Sequence, residues 1–296
     1  MAAAGYGGQA VMEGVMIRGP GGMAVAVRTD GGTTVDTLRL PLPALATRPW
    51  RWPVLRGLAA LGDGLALGMR ALLYSAEIAA APAGEPAGAR PTVASAGGTL
   101  GFTVFLSGAL ALGLFILLPA FLAGRLRPHL PSAFVTGLVE GLIRLGLLIG
   151  YVLALGLAPE MRRVLQFHGA EHKAIAALEA GLPLQASVAA RCSRFHPRCG
   201  TSFLFFVVLL TGLAFSLLPW QSLVVRLAVR IALLPLLAGL GYELLRLSAR
   251  GAALGRWGAA PGLWLQRLTT REPDHAQLEV ALAALRAALE LSGDPA

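Results

Sequence analysis

Apolar residues run almost unbroken through four stretches of the chain, and elsewhere they alternate or recur at helical spacing. The unbroken runs cover roughly Thr99–Ala123, Phe134–Ala158, Ser202–Leu218 and Gln221–Leu247. A helix needs about 20 such residues to cross the hydrocarbon core of a bilayer, so four crossings are expected. The third run is the shortest, and Pro219-Trp220 turns it back into the fourth.

A fifth stretch, Val54–Ala81, behaves differently. Its charges Arg56, Asp63, Arg70 and Glu77 fall seven residues apart. On a helix they form one narrow polar stripe. That pattern fits a helix lying in the membrane interface or against the bundle better than a further crossing. Residues 23–40, "MAVAVRTDGGTTVDTLRL", alternate apolar and polar positions on both sides of Asp30-Gly31-Gly32, which predicts a β-hairpin. The Gly-rich "YGGQAVMEGVMIRGPGG" before it reads as tight turns and lacks the spacing of a phosphate loop. Pro82–Gly98 reads as a flexible linker. Near the end, Pro273-Asp274 opens a helix with Leu278, Leu282, Leu285 and Leu289 on one face.

The predicted architecture is therefore mainly α: a polytopic membrane protein with four transmembrane helices, an interfacial helix, a small N-terminal β-hairpin and a C-terminal helix. Its segments divide as 1–48, 49–81, 82–98, 99–158, 159–201, 202–247 and 248–296.

Composition supports this class. Hydrophobic residues make up 55%, charged residues 14%, and the mean hydropathy is +0.66. The net charge of +9 comes from 24 Arg and one Lys against 16 acids. In a membrane protein such an excess marks loops facing anionic lipid, and no nucleic-acid partner is expected. Residues 1–98 hold eight basic residues, 124–133 two, 159–201 six, and the tail from Ser248 five. Both termini and the 159–201 loop are therefore expected on the cytoplasmic side. "MAAAGYGGQA" lacks the basic and apolar regions of a signal peptide. Cys192 and Cys199 would then lie in a reducing compartment, where a disulfide is not expected.

The chemistry concentrates in the 159–201 loop. Pro159 to Gly181 reads as a helix, with Pro159 and Glu160 suited to its first turn and Gly181 to its stop. His168 and His172 lie four apart on one face and can reach one metal ion, with Glu171 beside them. The order H-x-x-E-H is that of the inverted zinc peptidases, in which the histidines bind zinc and the glutamate activates water. A third ligand is needed. Glu179 lies roughly 13 Å beyond the histidine pair along the helix at about 1.5 Å per residue, so it is set aside. The downstream "CSRFHPRCGTS" offers His196 as first choice and Cys199 as second, with Cys192 ranked lower. Three of the five histidines and both cysteines fall within these 32 residues. The competing readings are ordinary polar histidines on a helix surface, or a thiol nucleophile formed by Cys199 with His196.

Glu13 and Arg18, the charges of the first twenty residues, are secondary candidates, Glu13 by approach to the helix site. Glu140 and Arg144 in the second span, and Arg226 and Arg230 in the fourth, are charges in the outer half of the membrane. Such groups pair within a bundle or line a polar pathway. Pairing of Glu140 with Arg230 or Arg226 is the structural expectation.

Together "GGQAVMEGVMIRGP", "FHGAEHKAIAALEAGLPL", "HPRCGTSFLFFVV" and "PGLWLQRLTTREPDHAQLEVALAAL" resemble the YqhQ-like bacterial membrane proteins, a family of unknown function labelled as a predicted metal-dependent enzyme. The resemblance covers nearly the whole chain. It implies that His168, Glu171, His172, His196 and Cys199 belong to the family's pattern, while Cys192 sits outside it. The functional expectation is a bacterial inner-membrane protein with a divalent-metal site, zinc by donor chemistry, acting as a metal-dependent hydrolase with Glu171 as general base. The alternative is a non-catalytic assembly, biogenesis or transport component whose metal is structural. Membrane lipid is the expected partner, alongside membrane proteins or a second copy of the chain.

Overall fold

The computed structural model describes residues 5–39, 52–81, 100–219, 221–248 and 253–294. The linker expected over 82–98 and the turn residue Trp220 lie outside the described residues.

The hairpin expected at 23–40 is present as β3 (Gly22–Thr29) and β4 (Gly32–Arg39). The Gly-rich segment before it is not merely a series of turns. It forms two further strands, β1 (Gly7–Val11) and β2 (Gly14–Gly19), and the sheet is an antiparallel meander of order β1-β2-β3-β4. Met12-Glu13 joins β1 to β2, with Glu13 at a left-handed φ of 52°.

Both faces of the sheet are covered. Helix α1 (Leu55–Ala80) lays Leu67, Ala71, Tyr74 and Ile78 on Val11, Met16, Val25 and Val27. The opposite face carries Val15, Ile17, Ala24 and Ala26, and it packs against Phe167, Ala170 and Ala174 together with Leu278, Leu282, Leu285 and Leu289. Each such leucine, fully buried, contributes roughly 1.5–3 kcal/mol. The period-two alternation of β2 and β3 thus feeds two separate apolar cores, one per face.

Most of the remaining helices, that over Pro159–Glu179 excepted, are apolar. The first run is α2 (Leu100–Leu112), a π-helical turn (Gly113–Leu117) and α3 (Leu118–Leu126). It is followed by α4 (Ala133–Leu155), α5 (Pro159–Glu179), the short α6 (Ala186–Ala189), α7 (Gly200–Ser216) and α8 (Leu223–Ser248). Among the described residues, three helices are long and apolar enough to cross a membrane: Phe105–His129, Ala133–Leu155 and Leu223–Ser248. The third expected span, α7, is apolar but only 17 residues long. Outward faces of these helices expose large apolar side chains, among them Phe105, Leu142, Leu209 and Val224, a surface suited to lipid rather than water. Helices α4 and α7 cross closely at small residues. A Cβ on Gly137 would lie 2.3 Å from Ser216 Cα, and one on Gly141 3.0 Å from Gly212 Cα. Spacing of small residues by four is what lets apolar helices approach this far.

The charges expected inside the bundle form one buried cluster. Glu140 Oε1 accepts from Arg144 Nη2 at 2.9 Å and from Arg230 Nη1 at 2.5 Å. Arg144 also donates to the Phe115 carbonyl of the π-helical turn at 2.7 Å and to Thr211 Oγ1 at 3.1 Å. Arg226 donates to the Ala120 carbonyl at 3.2 Å. Of the two partners expected for Glu140, Arg230 is the one that reaches it.

Helix α1 is not among the helices apolar and charge-poor enough to cross a membrane. Its stripe is used in packing: Arg56 pairs with Glu243 of α8, and Asp63 lies 3.5 Å from Arg18 of β2. The tail after α8 holds more than the single amphipathic helix expected. Helix α9 (Ala253–Thr269) precedes α10 (His275–Ser292), with Pro261 inside it. Asp274 and Gln277 close a capping box at the start of α10, and Gly293 at φ 72° ends it.

Candidate functional site

Helix α5 begins and ends where its sequence dictates. Pro159 sits in its first turn, and Gly181 at φ 63° lets Leu182 N–H bond the Ala177 carbonyl at 3.0 Å, which closes the helix. Its apolar face meets the sheet and α10, and this rotation turns His168 and His172 together toward the start of α7. The two rings stand 4.5 Å apart between centroids, edge to face.

Each of these rings is fixed from behind. His168 Nδ1 is 2.7 Å from the Thr269 carbonyl, and His172 Nδ1 is 2.6 Å from the Arg194 carbonyl. A carbonyl only accepts, so Nδ1 carries a proton in both rings, and in the neutral imidazole Nε2 is then the atom that offers a lone pair. Backbone carbonyls holding Nδ1–H in this way are the usual support behind metal-binding histidines. The Thr269 carbonyl comes near because the chain from Thr269 to Pro273 crosses α5 at Gly169. A Cβ there would lie 2.0 Å from the Arg271 carbonyl oxygen, so no larger residue fits without displacement.

The Nε2 atoms face Cys199. Its Sγ is 3.3 Å from His168 Nε2, and donor atoms of His168, His172 and Cys199 all lie within 4.8 Å of one another. Ligands of a tetrahedral zinc, at bonds of about 2.0–2.3 Å, stand roughly 3.3–3.6 Å apart, so a small closure suffices. Cys199 is placed by its position as N-cap of α7, where Thr201 N–H approaches Sγ at 3.4 Å. Glu171, buried on the same helix, has Oε2 3.6 Å from His172 Nε2.

His196 lies next to this group with different bonding. Its ring centroid is 5.8 Å from that of His172. Nε2 is 3.1 Å from Glu179 Oε2, and Nδ1 accepts from Arg198 N–H at 3.3 Å. Both ring nitrogens are thus engaged within the protein, with the proton on Nε2. Burial pushes this imidazole below its ordinary pKa, against the opposing pull of Glu171. Glu179, which helix rise separates from the histidine pair, serves His196 and Arg198 instead.

The other candidates separate clearly. Cys192 packs beside the core under the sheet, its Sγ 3.8 Å from the Val188 carbonyl, away from the cluster. Glu13 does reach α5, but at Arg163 rather than at the histidines, and it also pairs with Arg28. Burial raises the pKa of its carboxyl, but the two guanidiniums outweigh this and hold it below the ordinary value. Arg18 lines the same cavity as the histidines. Glu140, Arg144, Arg226 and Arg230 belong to the separate cluster in the helix bundle.

Two residues that sequence spacing did not single out hold the loop in place. Lys173, the chain's one lysine, is buried; it donates to the Ala190 and Cys192 carbonyls at 2.8 and 3.0 Å and pairs with Glu272 at 3.0 Å. Gln266 of α9 is fully buried and grips His196 twice, accepting from its N–H at 2.8 Å and donating to its carbonyl at 2.7 Å, while also reaching Ser202. A single buried lysine in an arginine-rich chain was the available signal for the first. Nothing local signals the second.

A cavity of about 670 Å³ opens in front of the cluster. His168, Glu171, His172 and Cys199 line one side, and the start of β1 with Arg18 lines the other. That volume is typical of small-molecule sites.

Residues 52–291 match the family model described as "Protein of unknown function (DUF1385)". The chain belongs to this family. It is also 35% identical over 297 residues, covering 97% of this chain and 92% of the relative, to the "Uncharacterized protein YqhQ" of Bacillus subtilis (strain 168). No solved structure matches. The resemblance read from the motifs is thereby established at the level of the family.

Proposed function

We propose that this protein is a membrane-embedded metal-dependent hydrolase whose site faces the cytoplasm, with His168, His172 and Cys199 as ligands of a zinc ion and Glu171 as general base. The observation that carries this reading is the matched pair of Nδ1–carbonyl contacts. Two imidazoles, each locked by a backbone carbonyl at Nδ1, present Nε2 lone pairs toward one thiol. Two nitrogens and a sulfur fit a borderline-soft divalent ion. Once bound, the ion would supply Lewis-acid chemistry and lower the pKa of a nearby water. Glu171, beside the ligands, would take a proton from that water and return it to the leaving group. His196, held by Glu179, Arg198 and Gln266, positions the loop that carries Cys199.

A purely structural metal is less well supported. Lys173 and Gln266 already fasten the 190–199 loop through four of the hydrogen bonds described above, so no ion is needed to close it. The cavity beside the cluster also leaves room for water and substrate, as a catalytic zinc requires. The arginine bias, with α7 read as a short fourth crossing, supports a reading in which the sheet, α5 and α10 face the cytoplasm at a bacterial inner membrane. The test is metal content of the purified protein. Wild type and Glu171→Gln should both hold one zinc, and His172→Ala should hold none. Wild-type protein that binds no divalent ion would overturn the proposal.

A further inference from the structure

The free edge of the sheet runs past the metal cluster. β1 pairs with β2 on one side and has no strand partner on the other among the described residues. Gly7, Gly8 and Gln9 are exposed. The cavity touches Gly64 of α1, on one face of the sheet, and His168, Glu171 and His172 of α5, on the other. A space reaching both faces must pass round the N-terminal half of β1.

The two edges of this sheet are built differently. β4 carries Asp36 and Arg39, charges of the kind that keep an edge from recruiting another strand. β1, "GGQAV", has no charge and no proline. Gly8 also brings backbone close to Glu171: a Cβ on it would lie 2.8 Å from Glu171 Cγ. An antiparallel ladder leaves alternate amides and carbonyls of an edge strand pointing away from the sheet. These groups would hydrogen-bond an added backbone in register.

We infer that the substrate is a polypeptide segment bound in extended form along β1, its scissile carbonyl beside Glu171 and the His168–His172–Cys199 cluster. This rests on the hydrolase reading and names the class of its substrate. The reaction is peptide hydrolysis. The oxygen of water bonds to the carbonyl carbon, the C–N bond breaks, and the proton taken by Glu171 passes to the departing amine. Backbone pairing makes recognition tolerant of side chains, while the cavity sets which ones fit.

The test uses the full chain in detergent, loaded with zinc, and two probes: acetohydroxamic acid and the hydroxamate of tri-alanine, the latter also with single N-methylated amides. Affinities are measured calorimetrically. The tripeptide probe should bind at least about tenfold tighter than acetohydroxamic acid, the gain of two or three added hydrogen bonds. Methylation of one amide should erase that gain and methylation of its neighbour should spare it, following the alternation of a strand. If both probes bind equally, or every methylation acts alike, the edge inference fails while the metal reading stands. If neither probe binds the zinc-loaded protein, the inference fails as well. If the chain holds no zinc, the hydrolase reading fails and the inference falls with it.

Discussion

Two buried polar clusters in this molecule solve opposite problems. Around Glu140, guanidinium groups of Arg144 and Arg230 share one carboxylate, and backbone carbonyls and Thr211 take further donors. Around His172, each imidazole spends Nδ1 on a carbonyl and turns Nε2 toward Cys199 beside the cavity. The first cluster lies inside the helix bundle and ties apolar helices together, even with Glu140 Oε2 and Arg230 Nε left without a hydrogen bond. The second is held from outside and faces a cavity. Buried polarity alone therefore does not mark a reactive site; spare lone pairs that converge on a cavity do.

Substitutions can separate the two. The largest effect is expected from Glu140→Gln, which leaves two guanidiniums without a counter-charge; removing one partner of a buried ion pair costs about 3–5 kcal/mol. Thermal unfolding in detergent should show it, while the protein that folds still binds zinc. A variant that loses zinc with its stability intact would couple the clusters and break the comparison. Next comes His172→Ala, expected to weaken zinc binding by more than about a hundredfold, beyond what loss of a supporting group costs, with a small effect on unfolding of the metal-free protein. Gln266→Ala removes three hydrogen bonds at the base of the loop. It should cost about 1–3 kcal/mol and weaken zinc roughly tenfold, seen by competition with a chelator. Cys192→Ser should be nearly silent in zinc stoichiometry, because this sulfur lies away from the cluster.

Much of this was legible in the sequence, and the exceptions have physical causes. The H-x-x-E-H spacing, the caps of α5 and the leucine face of α10 are local patterns, and they appear where spacing puts them. β1 and β2 were hidden because their glycines read as turns, whereas Gly8 serves close approach to Glu171 within a strand. α9 was hidden by Pro261 and its glycines, of which Gly262 admits Ser202. The order of third ligands could not be read locally either. Sequence ranks His196 above Cys199, but the bonds that engage His196 come from Glu179, Arg198 and Gln266, and the turn that aims Cys199 is the cap of α7. The charge stripe on α1 was visible, but its partners Arg18 and Glu243 lie on distant elements.

The most direct test sets Cys199→Ala beside His196→Ala and Glu171→Gln, with zinc counted per chain in each purified protein. One zinc is expected in wild type, in Glu171→Gln and in His196→Ala, and little or none in Cys199→Ala. Zinc retained by Cys199→Ala and lost from His196→Ala would contradict that expectation.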